Sequence, residues 1–312
     1  MSQHKPTELI DDIWISDGFD LHMPGRTGTY IINEEELAII DTGPSLSVPY
    51  IKESIEFLGR DLTDVRYIIV THVHLDHAGG AGLLIKDCPN AKVVVHPRGA
   101  KHLAHPERLI QGAKAVYGSQ FDSFFAPVYP VDEDKIMTAS HEETISLSKE
   151  RTLTFLNTPG HANHHFSMVD SKSKGIFTGD TIGIQYYEGK RLGKEMYVPT
   201  TSPNHFDPDK MLESLSLLLS YKPTRIFFGH YGMTTHISEV KRQIESWIPI
   251  FMELGYEAYE KGEDHTFLAT RIHRAVSNHY GIDHLTDDHL LHQIIQLDAH
   301  ISAMGIIDYI RK

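Results

Sequence analysis

The sequence is poor in several things that would place it elsewhere. It has one cysteine, Cys88, in 312 residues. No intrachain disulfide can form, so a disulfide-stapled secreted scaffold is excluded. It is short of positive charge: 29 Lys and Arg against 42 Asp and Glu, a formal net charge of −13. A protein that tracks a nucleic-acid backbone needs a basic groove, and this balance argues against one. No apolar run approaches the length of a membrane span. The opening MSQHKPTELIDDIW is too polar and acidic for the core of a signal peptide. These absences predict a cytoplasmic protein, with neither nucleic acid nor membrane as partner.

Histidine, by contrast, is abundant, at 22 residues. Neutral imidazole is the commonest metal ligand at physiological pH. Composition cannot separate metal sites from scattered surface histidines, but spacing can.

Short runs rich in Ile, Val and Phe, bounded by turn residues, predict strands at 30–33, 37–41, 66–70, 92–96, 152–156, 166–170, 175–179 and 225–229. Helical patterns lie near 47–59, 78–87 and 208–220. Some strands alternate with helices and others follow one another directly, as at 152–179. That mixture suits an α/β sandwich of mixed sheets better than a purely parallel doubly wound sheet. The segment 181–207 shows little periodicity and reads as a long functional insertion. From about 237 the pattern is helical, with a kink expected at Pro249 and Thr286 expected to cap the last helix. This pattern divides the chain into a main domain, 1–236, on which catalysis is expected to reside if its motifs carry it, and a helical extension, 237–312.

The chemistry concentrates in YIIVTHVHLDHAGG, residues 67–80. It places His72, His74, Asp76 and His77 within six residues, after a buried strand. In an extended loop, residues two apart point the same way, so His72 and His74 can converge on one ion. Asp76 and His77 then sit on the turn and can serve a second. Three further strands end in ligand-type residues: TPGH places His161, FTGD places Asp180 and FFGH places His230. Imidazoles with carboxylates suit zinc, with iron or manganese as alternatives.

Together with AIIDTG, which contains Asp41, these motifs resemble the metallo-β-lactamase superfamily, and within it the glyoxalase-II-like hydrolases of small molecules. The resemblance spans roughly residues 12–235. It implies an αββα sandwich of two mixed β-sheets, here with a C-terminal helical extension, and two metals at one edge. Carried over, His72, His74 and His161 hold the first ion, and Asp76, His77 and His230 the second. Asp180 bridges them, and it and Asp76 are the carboxylates closest to the reaction. Asp41 corresponds to an aspartate that braces the metal loop. His165 matches a second family histidine with a packing or bracing role, and neither it nor His164 occupies a ligand position. There are departures. Acylhomoserine lactonases often carry a tyrosine three residues after the bridging aspartate, where this chain has Gly183. Flavodiiron enzymes have glutamate in place of His74.

The resemblance implies a binuclear hydrolase of a small ester, thioester or lactone, with a metal-bridging hydroxide as nucleophile. The alternatives are a mononuclear iron oxidoreductase of the persulfide dioxygenase type, a phosphodiesterase on the same scaffold, or a metal-binding module without activity. Tyr186, Tyr187, Tyr197 and His205 are candidates for the substrate pocket. A second candidate wall is the cluster Tyr117, Phe121, Phe124 and Phe125, which could equally be core. In the last helix Leu290, Ile294, Leu297, Ile301 and Met304 recur at helical spacing. That stripe either closes a bundle with the chain's own helices or joins a homodimer.

Overall fold

Runs of branched and aromatic side chains with buried neighbours on both faces fold as strands here. The computed structural model describes residues 4–312. They divide into two compact units: one holds residues up to Asn157 with His164–Gly179 and Pro223–Thr235, the other Thr158–Asn163, Asp180–Lys222 and His236–Lys312.

In the first unit, seven strands pair in sequence order: β1 (Thr7–Ile10), β2 (Ile13–Asp17), β3 (Gly28–Ile32), β4 (Leu37–Ile40), β5 (Val65–Ile69), β6 (Lys92–Val95) and β7 (Ile136–Thr138). The first four are antiparallel to their neighbours and β4 to β7 run parallel, so the sheet is mixed. A second mixed sheet holds β8 (Thr144–Ser146), β9 (Thr152–Asn157), β10 (Phe166–Asp170) and β11 (Gly175–Gly179), then β14 (Arg225–Phe228) and β15 (Met233–Thr234). Ile15, Tyr30, Ile40 and Ile69 of the first sheet share one buried cluster with Phe155, Phe166, Phe177 and Phe227 of the second. The other face of the first sheet is covered by α1 (Val48–Phe57), α2 (Leu75–Ala78) and α3 (Ala81–Leu84), where Ile51, Ile55 and Leu84 bury against Ile39 and Ile68. The helix expected over 78–87 is thus broken into short pieces at Gly79 and Gly80. Beyond β6 lie α4 (Ala100–Ala104), α5 (Glu107–Tyr117) and α6 (Phe121–Phe125). Phe121 and Phe125 are core residues, while Tyr117 and Phe124 are half-buried.

The second unit explains the aperiodic segment. It forms a two-stranded pair, β12 (Ile184–Gln185) with β13 (Tyr197–Val198), around α7 (Tyr187–Arg191), and then α8 (Pro208–Ser220). Two-residue strands are too short to leave a period in the sequence. The helices α9 (Ile237–Glu260), α10 (His265–Tyr280) and α11 (Leu290–Arg311) complete it. Gln243, buried in α9, accepts from the Tyr197 amide and the Tyr280 hydroxyl and donates to the Glu195 carbonyl, linking β13, α9 and α10. α9 continues through Pro249.

Two expectations for the tail are corrected. The last helix is capped by His289, whose Nδ1 accepts from the Leu291 amide at 3.2 Å, and Thr286 lies in the turn before it. Its buried face is Leu291, Ile294, Ile295, Ala299, Ala303 and Ile306. Of the expected stripe only Ile294 belongs to it; Leu290, Leu297, Ile301 and Met304 are half-buried. Small side chains at 299, 302, 303 and 305 let this face sit closer to its neighbours than a row of leucines could. Among the described residues, no helix is long and apolar enough to cross a membrane.

Candidate metal centre

The loop after β5 is fixed by one carboxylate. Asp41 follows β4 directly, in a left-handed conformation at φ 55°. Its Oδ1 accepts from the Thr71 amide at 2.7 Å, and its Oδ2 accepts from the Thr71 hydroxyl and faces His77 Nδ1, each at 2.9 Å. Asp41 thus ties the end of β4 to the loop that carries His72 and His77. With Nδ1 engaged, His77 offers Nε2, which lies 3.7 Å from Asp76 Oδ2. Thr71 also orients His72 through its Nδ1 at 3.0 Å. The His72 ring lies 4.5 Å from that of His74 and 4.3 Å from that of His77. His74 is the residue before α2 and keeps extended backbone angles, so its side chain leaves the helix.

His230 arrives from the other sheet. The Tyr30 hydroxyl of β3 lies 2.6 Å from Phe228 O and 2.7 Å from Gly232 O, its one proton shared between the carbonyls on the two sides of the turn that carries His230. His230 Nε2 then stands 3.8 Å from Asp76 Oδ2. His165 is buried beside His72, with rings 5.1 Å apart. Its Nε2 comes within 2.5 Å of where a side chain on Gly179 would begin, so only glycine fits there (φ 48°). His164 packs edge-on against His74 and is a ligand in none of the donor groups.

In the second unit, His161 Nδ1 pairs with the Thr200 carbonyl at 3.1 Å, and Ser202 donates to the His161 carbonyl at 2.6 Å. This bracing segment, 200–202, carried no signal in the sequence. Gly160 gives the preceding turn its shape: at φ 129° its α-carbon packs against Met211, leaving no room for a side chain. His161 Nε2 faces Asp180 Oδ2 at 3.7 Å. Of the pocket candidates, Tyr186 and Tyr197 are buried, Tyr187 is exposed and His205 is half-buried. Tyr197 donates its hydroxyl to Glu195. The His205 amide donates to Ser202 Oγ at 3.1 Å, on the segment that holds His161.

In the first unit Asp76, His77 and His230 form a donor set whose candidate ligand atoms lie within 4.8 Å of one another, with His72 and His74 beside His77. In the second unit His161 and Asp180 face each other. Imidazole nitrogens joined by carboxylates fit a transition metal rather than magnesium or calcium, which favour all-oxygen sites.

Two charged residues beside this centre have no place in the motifs. Asp20 and Arg26 form a buried ion pair, Nε to Oδ2 at 3.2 Å. Burial pushes the Asp20 carboxyl up to about 6 against the pull of Arg26; Asp76 adds to the rise, and His230 and His77 oppose it.

The model of the metallo-beta-lactamase superfamily matches residues 24–230, which include every one of the seven donors. The chain belongs to the metallo-β-lactamase superfamily. Within it, the chain is 30% identical over 219 residues to a metallo-beta-lactamase fold-containing protein from Sulfurisphaera tokodaii, covering 69% of this chain and 76% of that one. It is 28% identical over 144 residues to the N-acyl homoserine lactonase AttM of Rhizobium radiobacter, covering 45% of this chain and 50% of the lactonase. A solved metallo-beta-lactamase family protein from Thermus thermophilus shares the fold at a TM-score of 0.62 and 17% identity. That likeness covers 97% of this chain and 94% of the other. The helical tail is thus included in a fold shared with another superfamily member.

Proposed function

We propose that this superfamily member is a two-metal hydrolase of a small ester, thioester or lactone, of the glyoxalase-II-like kind. The observation that carries the reading is the donor inventory: Asp76, His77 and His230 gather in the first unit with His72 and His74 beside His77, and His161 faces Asp180 in the second. Five imidazoles and two carboxylates are more than one tetrahedral ion takes, which supports two. His72, His74 and His161 would hold the first, Asp76, His77 and His230 the second, with Asp180 common to both. Zinc suits these donors best, and iron or manganese could replace it.

Two such ions polarise a carbonyl and supply hydroxide at neutral pH. The chain's own residues do the rest. Asp41 and Thr71 hold His77 and His72 so that the nitrogen facing away from the brace is the one presented. Asp180 and Asp76 add negative charge that offsets the dications. No serine or cysteine nucleophile is required. Similarity to a lactonase supports the lactone part of the range. Gly183, where lactonases often have tyrosine, argues for a different substrate within it.

The test is hydrolysis by the zinc-loaded protein of a panel of thioesters, lactones and phosphodiesters, with oxygen uptake followed in parallel. Chelator-sensitive release of carboxylate from an ester, thioester or lactone is expected. Oxygen consumption with a persulfide substrate and one bound iron would replace this reading with the oxidoreductase one.

A further inference from the structure

The loop between β2 and β3 is built under strain. Phe19, Leu21 and His22 all have positive φ, at 48°, 52° and 63°. Such angles are unfavourable for non-glycine residues and persist only where the surroundings enforce them. Asp17 enforces them here. Its Oδ1 accepts from the Phe19 amide at 2.9 Å and its Oδ2 from the Gly25 amide at 2.8 Å, so one carboxylate ties both ends of the loop. Ser47 adds a bond to the Gly18 carbonyl at 2.7 Å.

The strained turn points Asp20 inward. Its side chain is wholly buried, and Arg26 Nε occupies only Oδ2. The other oxygen, Oδ1, is buried and has no hydrogen-bond partner among the described residues. A buried carboxylate oxygen without a donor is costly, more so than a neutral acceptor. The strained loop thus delivers an acceptor that the described residues do not satisfy.

The segment that carries this pair runs beside the turn that holds His230. Two residues after Arg26, the Gly28 amide donates to the Gly229 carbonyl at 3.3 Å, next to His230. The Tyr231 ring closes on Gly28 from the other side of that histidine. Asp76, His77 and His230 are the charged groups that Asp20 feels besides Arg26.

We infer that Asp20, fixed by Arg26, is a positioning residue for the ion at Asp76, His77 and His230, its Oδ1 accepting a hydrogen bond from a water molecule seated with that ion. The inference rests on the two-metal reading above. Partners outside the ligand set that orient what the metal holds typically change its affinity 10–100-fold.

Zinc extraction from the holoprotein by graded chelator tests it without any substrate. His230→Ala identifies which of two ions belongs to the second set. Asp20→Asn should release that ion about 10–100-fold more readily and leave the other unchanged. Asp20→Glu keeps the charge opposite Arg26 but moves the oxygen, and should release the ion as Asp20→Asn does. It also decides the matter should Asp20→Asn fail to fold. Wild-type retention of both ions in Asp20→Asn, or full recovery in Asp20→Glu, overturns the inference while leaving the two-metal reading intact. A wild-type protein that holds one ion overturns both.

Discussion

At the scale of single residues, Asp41 holds both Thr71 and His77 from the end of β4, and the motif that carries His77 stands out in the sequence. His72, His74, Asp76 and His77 sit within six residues, and Asp41 lies at the end of an apolar run. Asp20, Arg26, Thr200 and Ser202 were not legible. Each lies in an aperiodic segment, and its significance comes from what the fold brings beside it. Tyr30 is a similar case. It reads as one more aromatic in a strand, yet its hydroxyl holds the His230 turn at two carbonyls. Tyr30→Phe leaves both carbonyls without this donor and should cost about 1–3 kcal/mol, measured as a shift of the urea midpoint. An unchanged midpoint would mean the turn is held by other contacts. Cys88 gives a second residue-level prediction. It is fully buried, and burial, then Asp87, pushes its thiol up to about 12. The thiolate needed for reaction is scarce at neutral pH. A thiol reagent should leave native protein unlabelled over the time that labels it fully in urea. Rapid native labelling would contradict the packing described.

At the scale of elements, β3 to β6, β9 to β11 and β14 were legible from their runs of Ile, Val, Leu and Phe. Those with mixed or very short patterns, β1, β2, β7, β8, β12, β13 and β15, were not. Partly exposed edges and two-residue pairs carry neither a continuous apolar run nor a clear alternation. The last helix was legible, but its buried face was not, because small residues rather than leucines make it. The seam between α10 and α11 carries two histidine pairs: His273 with His292 at 4.3 Å between ring centres, and His265 with His300 at 5.1 Å. Burial lowers the pKa of His273, and His292 lowers it further while Asp287 opposes. Burial also lowers that of His300, with His265 adding to it. Both take up a proton less readily in the fold than once unfolded. Their contribution to stability is present above the ordinary histidine value of 6.5 and is lost as pH falls below it. The melting temperature should drop as pH falls from above that value to well below it, and His292→Gln should make the drop shallower by removing the like charge facing His273. An identical pH dependence in the variant would place the effect elsewhere.

At the scale of the whole molecule, the fold family was legible from motif order, and the grouping of 181–222 with the helical tail was not. That grouping arises from contacts such as those of Gln243 with β13, which join residues far apart in the chain. Leu290, Leu297, Ile301 and Met304 remain half-buried on α11, a row of large apolar side chains suited to a second copy of the chain. A homodimer through this row is proposed, and Leu297→Asp should convert it to a monomer by light scattering with its metal content intact. A wild type that is already monomeric, or a variant of unchanged mass, would remove the proposal.

The central claim is that Asp180 joins two ions in one hydrolytic centre. Elemental analysis of the zinc-loaded protein and of Asp180→Ala, each paired with single-turnover hydrolysis, tests it most directly. Two zinc ions per chain are expected in the wild type. Asp180→Ala is expected to lose one or both, with turnover falling in step. One tightly bound ion in the wild type, with hydrolysis unaffected by Asp180→Ala, would contradict it.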